Sequence, residues 1–249
     1  MKITEENCFY PDHILYFDPS NMGFEKQEFM IEDRLHCWFV LPKTKDVKDT
    51  TIVHLHGNAE NMTSHITGVI FLLELGYPLI AFDYSGYGMS KGSPSLEGIQ
   101  RDAKTVFAHV SERGELFGHS IFGFGQSMGA YTLARILPSL PWIKGAILEA
   151  GLTSFYDLFS QAYPQYTCTI PNKGLSSLDT LTESQVPKLF IHGTADEVVP
   201  YTHSLEMHSQ ASKPKDILIL DGVAHIGAMV SGKAKEYISK ITSFIEKNK

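Results

Sequence analysis

The chain has 249 residues, of which 43% are hydrophobic and 20% charged, with 20 glycines and 12 prolines. That length and mixture suit one domain whose core needs neither metal nor disulfide staples, and they exclude collagen, coiled coil and bulk disorder. Lys plus Arg total 21 against 28 Asp plus Glu, a net charge of −7; phosphate binding asks for a basic face, so no nucleic-acid partner is expected.

From the N-terminus, Met1-Lys2-Ile3-Thr4-Glu5-Glu6 lacks the apolar stretch of a secretory signal. No apolar run is long enough to span a bilayer, so the expectation is a cytoplasmic protein without a transmembrane segment. Cys8, Cys37 and Cys168 form an odd set without paired spacing, read as three thiols in a reducing compartment. No Cys/His cluster calls for a metal.

Phe29-Met30-Ile31 and Leu35–Leu41, separated by Glu32-Asp33-Arg34, predict an opening antiparallel hairpin. Six further runs follow at Thr51–His56, Leu79–Phe82, Ser120–Phe124, Gly145–Leu148, Lys188–His192 and Asp216–Leu220. They are nearly continuous in apolar residues, as strands covered on both faces require. Apolar stripes at three- and four-residue spacing predict helices over 62–75, 95–113, 128–137 and 233–247. The alternation gives an α/β fold with about eight strands, mostly parallel, and helices on both faces. One crossover, 151–186, is longer than the rest and carries Phe155, Tyr156, Phe159, Tyr163 and Tyr166 before the loop-like Pro171-Asn172-Lys173-Gly174. A connection of that length in a single domain spanning 1–249 reads as a lid or cap; the alternative is an ordinary helix-plus-loop crossover.

Gly125-Gln126-Ser127-Met128-Gly129 directly follows a strand and opens a helix. In that setting the serine sits on a strained turn that lifts its hydroxyl off the sheet, and the flanking glycines spare the turn a Cβ. The Met128 N–H, at the start of the helix, points at the position of a reacting oxygen. A serine hydroxyl needs a base and a group to orient that base. His225 and Asp196 both follow strands, at the carboxyl edge where α/β sheets place their sites, and the order Ser127, Asp196, His225 runs Ser…Asp…His. Glu149, Glu197 and Asp221 are the other candidate acids. Leu55-His56-Gly57-Asn58-Ala59-Glu60-Asn61 lies after a strand and supplies a second oxyanion N–H, from Asn58 in preference to Ala59. His56 is read as bracing that loop, His54 and His192 as core histidines, and Asp83 as holding a turn. Ser90 and Ser93 fall in an exposed-looking Gly/Pro loop without a base.

The chain resembles the α/β-hydrolase superfamily from about Phe29 to the last helix. His56-Gly57-Asn58-Ala59-Glu60-Asn61, Phe82-Asp83-Tyr84-Ser85-Gly86-Tyr87-Gly88-Met89-Ser90 and Gly193-x-x-Asp196-x-x-Val199-Pro200 resemble its branch with an HGNAxN loop, which includes Bem46-like, depalmitoylase-like and serine aminopeptidase-like hydrolases. The resemblance implies the α/β-hydrolase fold and a serine hydrolase acting on esters or thioesters. Ser85 departs from the pattern, where relatives carry arginine, and the segment after Glu149 also differs.

The expected chemistry is acyl transfer to water through Ser127, His225 and Asp196, with Asn58 and Met128 N–H groups on the oxyanion and no cofactor or metal. The expected partner is a small-molecule or lipid-like acyl ester or thioester, with peripheral membrane contact through the aromatic segment an open possibility. Peptidase or amidase activity, and a non-catalytic binding protein retaining the fold, are the competing readings.

Overall fold

A computed structural model describes residues 2–170 and 174–249; Pro171-Asn172-Lys173 of the expected loop lie outside the described residues. The main sheet has eight strands: β1 (Glu25–Ile31), β2 (Leu35–Leu41), β3 (Thr50–Leu55), β4 (Leu79–Phe82), β5 (Ser120–Gln126), β6 (Gly145–Glu149), β7 (Lys188–Gly193) and β8 (Lys215–Leu220). Their spatial order is β8-β7-β6-β5-β3-β4-β2-β1. The opening hairpin is antiparallel and β2 runs antiparallel to β4; every other pairing in the sheet is parallel.

The continuous apolar runs follow from burial on both faces. On β4, Ile80 and Phe82 point into one core while Leu79 and Ala81 point into the other. Four helices cover the first face: α1 (Leu96–Ser111), α2 (Met128–Ile136), α4 (Ser177–Glu183) and α5 (Thr202–Gln210), numbered with α3 (Phe155–Ala162) between α2 and α4. The second face is covered by residues 62–73 and by α6 (Ala234–Asn248) through Tyr237, Ile241 and Ile245. Helix α1 begins where Ser95 Oγ accepts the Gly98 N–H at 3.0 Å. Its predicted stripe, Leu96, Ile99, Ala103, Val106, Phe107 and Val110, is buried throughout.

The helix expected over 62–75 is instead broken into Met62–His65, a three-ten turn at Ile66–Gly68, and Phe71–Glu74. Gly68 and the β-branched Thr63, Ile66, Thr67, Val69 and Ile70 weaken its helical preference. Burial of Met62, Ile66, Val69, Leu72 and Leu73 then fixes the path of the chain.

The N-terminal segment before the hairpin joins the fold through two short parallel pairings. Lys2–Ile3 pairs with Thr167–Cys168, and Tyr10–Pro11 pairs with Ala59–Glu60 beside the expected oxyanion loop. The three cysteine thiols are free. Among the described residues, no helix is long and apolar enough to cross a membrane.

Candidate functional site

Ser127 stands between β5 and α2 with φ 54° and ψ −115°, a left-handed conformation that costs a non-glycine residue strain. The turn is held by the Ser127 N–H donating to the Glu149 carbonyl at 2.8 Å and by the Tyr131 N–H donating to the Ser127 carbonyl at 3.1 Å. A Cβ on Gly125 would run into the Gly129 carbonyl, and one on Gly129 into the carbonyl of Leu55. The glycines are therefore required by close backbone approach between β3, β5 and α2. The Ser127 side chain is 8% exposed and borders a cavity.

Asp196 and His225 meet beyond the ends of β7 and β8. Asp196 Oδ2 lies 2.7 Å from His225 Nδ1, and Asp196 Oδ1 accepts the N–H groups of Val198 and Val199, both at 2.9 Å. Burial alone would raise the Asp196 carboxyl. Hydrogen bonds from His192, from His225 and from the Val199 backbone override it and hold the group well below the usual carboxylate range. The structure thus brings Asp196 to His225. It leaves Ser127 Oγ without a hydrogen bond to His225 or to any other described residue; such contacts commonly tighten only with substrate bound.

The loop after β3 carries Asn58 at the same cavity as Ser127 and Met128. Asn58 Oδ1 accepts from Tyr87 Oη at 2.8 Å and from the Tyr10 N–H at 3.3 Å, while its own N–H has no acceptor among the described residues. The Met128 N–H opens a helix, so it has no intrahelical acceptor either. His56 is fully buried, and its Nδ1 donates to the Gly57 carbonyl at 2.7 Å. That carbonyl belongs to the same peptide unit as the Asn58 N–H, so the ring orients the donor, in agreement with a bracing role. Burial pushes the His56 imidazole well below its ordinary range, with neighbouring His65 adding to the effect.

Asp83 is buried and its Oδ1 accepts the Met62 N–H at 2.7 Å, so it holds the turn as expected. Ser90 differs from its exposed-looking setting: it is 5% exposed, donates to the Asp83 carbonyl at 2.7 Å and accepts the His36 N–H at 2.9 Å. Ser85 Oγ, at the position that departs from the expected motif, takes a hydrogen bond from Arg34 Nη1 at 2.7 Å. Arg34 also reaches the buried Asp102 at 2.5 Å, and Asp102 Oδ2 accepts the Ser85 N–H at 2.8 Å. A guanidinium from the opening hairpin therefore occupies the neighbourhood of Ser85.

Two cavities border the candidate residues. One, of about 350 Å³, holds Ser127, Met128 and Asn58 and is walled by apolar side chains, among them Leu152, Phe155, Leu158, Phe159 and Val199. The other, of about 460 Å³, holds His225 between Glu60, His65 and Gln126 and the apolar Ile226, Met229 and Val230. Helix α3 supplies the apolar wall of the first. Phe155, Phe159, Tyr163 and Tyr166 form a stacked aromatic series along it, with ring centroids 6.3, 6.3 and 6.0 Å apart. The later part of 151–186 is tied to α2: Tyr131 Oη donates to the Leu175 carbonyl at 2.9 Å and Arg135 Nη1 to the Ser176 carbonyl at 2.8 Å.

Among the other candidate acids, Glu149 accepts from Gln126 Nε2 and from Tyr237 Oη, both at 2.8 Å, and makes no bond to His225. Glu197 borders the apolar cavity, and Asp221 accepts from Thr194 Oγ1 at 3.0 Å. His54 is the core histidine expected, bonded to Gln126 Oε1 at 3.0 Å; burial lowers it to about 3. His192 is not merely a core residue, because its Nε2 lies 3.0 Å from Asp196 Oδ2. Its position four residues before Asp196 carried a signal, but an apolar strand around it favoured the packing reading. Tyr87, which holds Asn58, lies within the quoted Phe82–Ser90 motif, whereas Tyr10 left no pattern in the sequence.

An eight-stranded, mostly parallel sheet with its candidate serine on a strand-to-helix turn defines a class, and comparisons with known proteins agree. A family described as "Serine aminopeptidase, S33" matches residues 46–168. The uncharacterized protein YfhR of Escherichia coli K12 is 31% identical over 243 residues, covering 95% of this chain and 85% of that protein. Human alpha/beta hydrolase domain-containing protein 17B is 26% identical over 217 residues, covering 86% of this chain and 71% of the relative. The esterase Pf2001 of Pyrococcus furiosus superposes with a TM-score of 0.78 at 20% identity, covering 96% of each chain, which is a likeness of fold. The chain belongs to the α/β-hydrolase superfamily.

Proposed function

We propose that the protein is a serine hydrolase that cleaves carboxylic esters or thioesters of apolar acyl groups through an acyl-enzyme. The observation that carries this reading is the 2.7 Å contact between Asp196 Oδ2 and His225 Nδ1, made beside a serine on a strained strand-to-helix turn. His225 Nε2 takes the Ser127 proton as Oγ attacks the acyl carbon, and the ionised Asp196 orients the ring and stabilises the imidazolium. The N–H groups of Asn58 and Met128 receive the oxyanion. As the tetrahedral intermediate collapses, the bond to the leaving oxygen or sulfur breaks and His225 returns its proton to that atom. Water, deprotonated by His225, then attacks the acyl carbon, and Ser127 leaves with the proton.

The leaving atom must sit near His225, so the cavity that holds His225 takes the alcohol or thiol portion and the cavity under α3 takes the acyl chain. In this reading α3 is the cover of the acyl site, and the remainder of 151–186 is its anchor. One observation favours a second reading, amide cleavage of aminoacyl substrates: Glu197 borders the acyl cavity, where its carboxylate could hold a free amine.

Ser127→Ala is expected to abolish both ester turnover and stoichiometric labelling by a fluorophosphonate probe. Stoichiometric labelling of the variant elsewhere in the site would overturn the assignment. A series of p-nitrophenyl acyl esters beside aminoacyl-arylamides separates the two substrate readings; faster arylamide turnover that falls in Glu197→Gln selects the second.

A further inference from the structure

Asp196 Oδ2 faces two imidazoles. His225 Nδ1 lies 2.7 Å away, and His192 Nε2, reached from within β7, lies 3.0 Å away. The hydrogen position on His192 follows from its other neighbours. His192 Nε2 is also 2.9 Å from the Val199 carbonyl, which can only accept, so Nε2 carries a proton and shares it between Val199 O and Asp196 Oδ2. In the neutral ring Nδ1 is then an acceptor, and the buried Ser204 hydroxyl on α5 donates to it at 2.7 Å. His192 is 1% exposed and Ser204 fully buried, so neither bond competes with water.

We infer that His192 is a positioning residue for the proposed reaction: its Nε2–H holds Asp196 in place and tempers the basicity of the oxygen that faces His225. The inference rests on the reading of Asp196 and His225 given above. Val198 and Val199 N–H groups bind Oδ1. Oδ2 is left to the two rings, and any donation from His192 is charge that His225 does not receive. Removing the His192 donor leaves Oδ2 more basic, strengthens its hold on the imidazolium, and moves the protonation of His225 to higher pH. Other charged or titratable groups face this pair. Glu60 and His65 share the cavity of His225, Glu197 follows Asp196, and His203 neighbours His192. Glu149 interacts electrostatically with both rings. None of them donates to Asp196 Oδ2, so the effect is specific to His192.

The first measurement needs no variant. Nitrogen-15 chemical shifts of wild-type histidines are expected to show His192 protonated at Nε2 and accepting at Nδ1; the opposite tautomer overturns the inference. His192→Phe is expected to lower kcat with an ester substrate by about 10- to 100-fold, because Asp196 loses the hydrogen bond that holds it in line with His225 and that loss outweighs its stronger pull on the imidazolium. It should also move the acidic limb of the pH profile upward by roughly 0.5 to 1 unit. His192→Gln places an amide N–H near the position of Nε2 and should restore both values. A packing role alone would lower folded yield in both variants without moving the limb. If His192→Phe does not fold, Ser204→Ala serves in its place, with the His225 Nδ1 proton resonance as the readout; an unmoved resonance overturns the inference. Failure of the underlying reading is visible separately, as ester turnover that survives in Ser127→Ala.

Discussion

Asp196 and Glu149 are two carboxylates at the carboxyl ends of neighbouring strands, β7 and β6, and their surroundings drive them in opposite directions. Asp196 receives two imidazole contacts and two backbone N–H bonds, which hold it ionised against the effect of burial. Burial raises Glu149, and bonds from the neutral donors Gln126 and Tyr237 offset this only in part. An acid that orients a catalytic imidazole must remain charged. One that closes a buried network is better neutral. The difference teaches that position at a strand end nominates an acid, while the donors around it decide what that acid can do.

The widest separation of the pair is expected in catalysis. Asp196→Asn should lower ester turnover by about 10⁴-fold, as for the equivalent change in serine proteases, because the amide cannot stabilise the imidazolium or fix its tautomer. Steady-state kinetics on the purified variant checks this, and activity within tenfold of wild type would break the comparison. Next in size, Tyr237→Phe removes one of the two donors to buried Glu149 and should cost about 1 to 3 kcal/mol in urea unfolding, with turnover nearly unchanged. Smallest in activity, Glu149→Gln keeps an acceptor for both donors and should leave kcat within about tenfold.

The pair also predicts opposite responses to pH. Asp196 is depressed in the folded state, so it contributes stability that is present above the unfolded value near 3.9 and is lost as pH falls through the folded value. Glu149 is raised, so its contribution is full below about 4.3 and is lost as pH rises through its folded value. Urea midpoints measured from acid to neutral pH should therefore decline less with rising pH in Glu149→Gln than in the wild type. An equal decline would show that Glu149 is not raised.

Much of this architecture is legible from local pattern. The runs Leu35–Leu41 and Leu79–Phe82 match β2 and β4 residue for residue, because strands buried on both faces must be apolar at successive positions. Helix α1 was equally readable, its one-sided stripe being contained within a single segment. The region 62–75 was not, since its apolar pattern fits a helix while its β-branched residues and Gly68 favour a broken path that only packing selects. The expectation for Ser90 missed because a Gly/Pro-rich loop can be buried when the hairpin folds over it, as the His36 N–H on Ser90 Oγ records.

By itself, then, the sequence determined the strand runs and the glycine-flanked serine turn, which are written in residues adjacent along the chain, and the Ser, Asp, His order, which is the order of the chain itself. Tertiary structure alone decided that His192 shares Asp196, that Arg34 reaches Ser85, and that Tyr10 and Tyr87 hold Asn58. Except for His192 and Asp196, four apart, these contacts join residues distant in sequence, 51 positions for Arg34 and Ser85 and 48 for Tyr10 and Asn58. Hydrophobic periodicity records which face of an element is buried. A hydrogen-bond partner is chosen by strand order and register, which exist only once the sheet has formed.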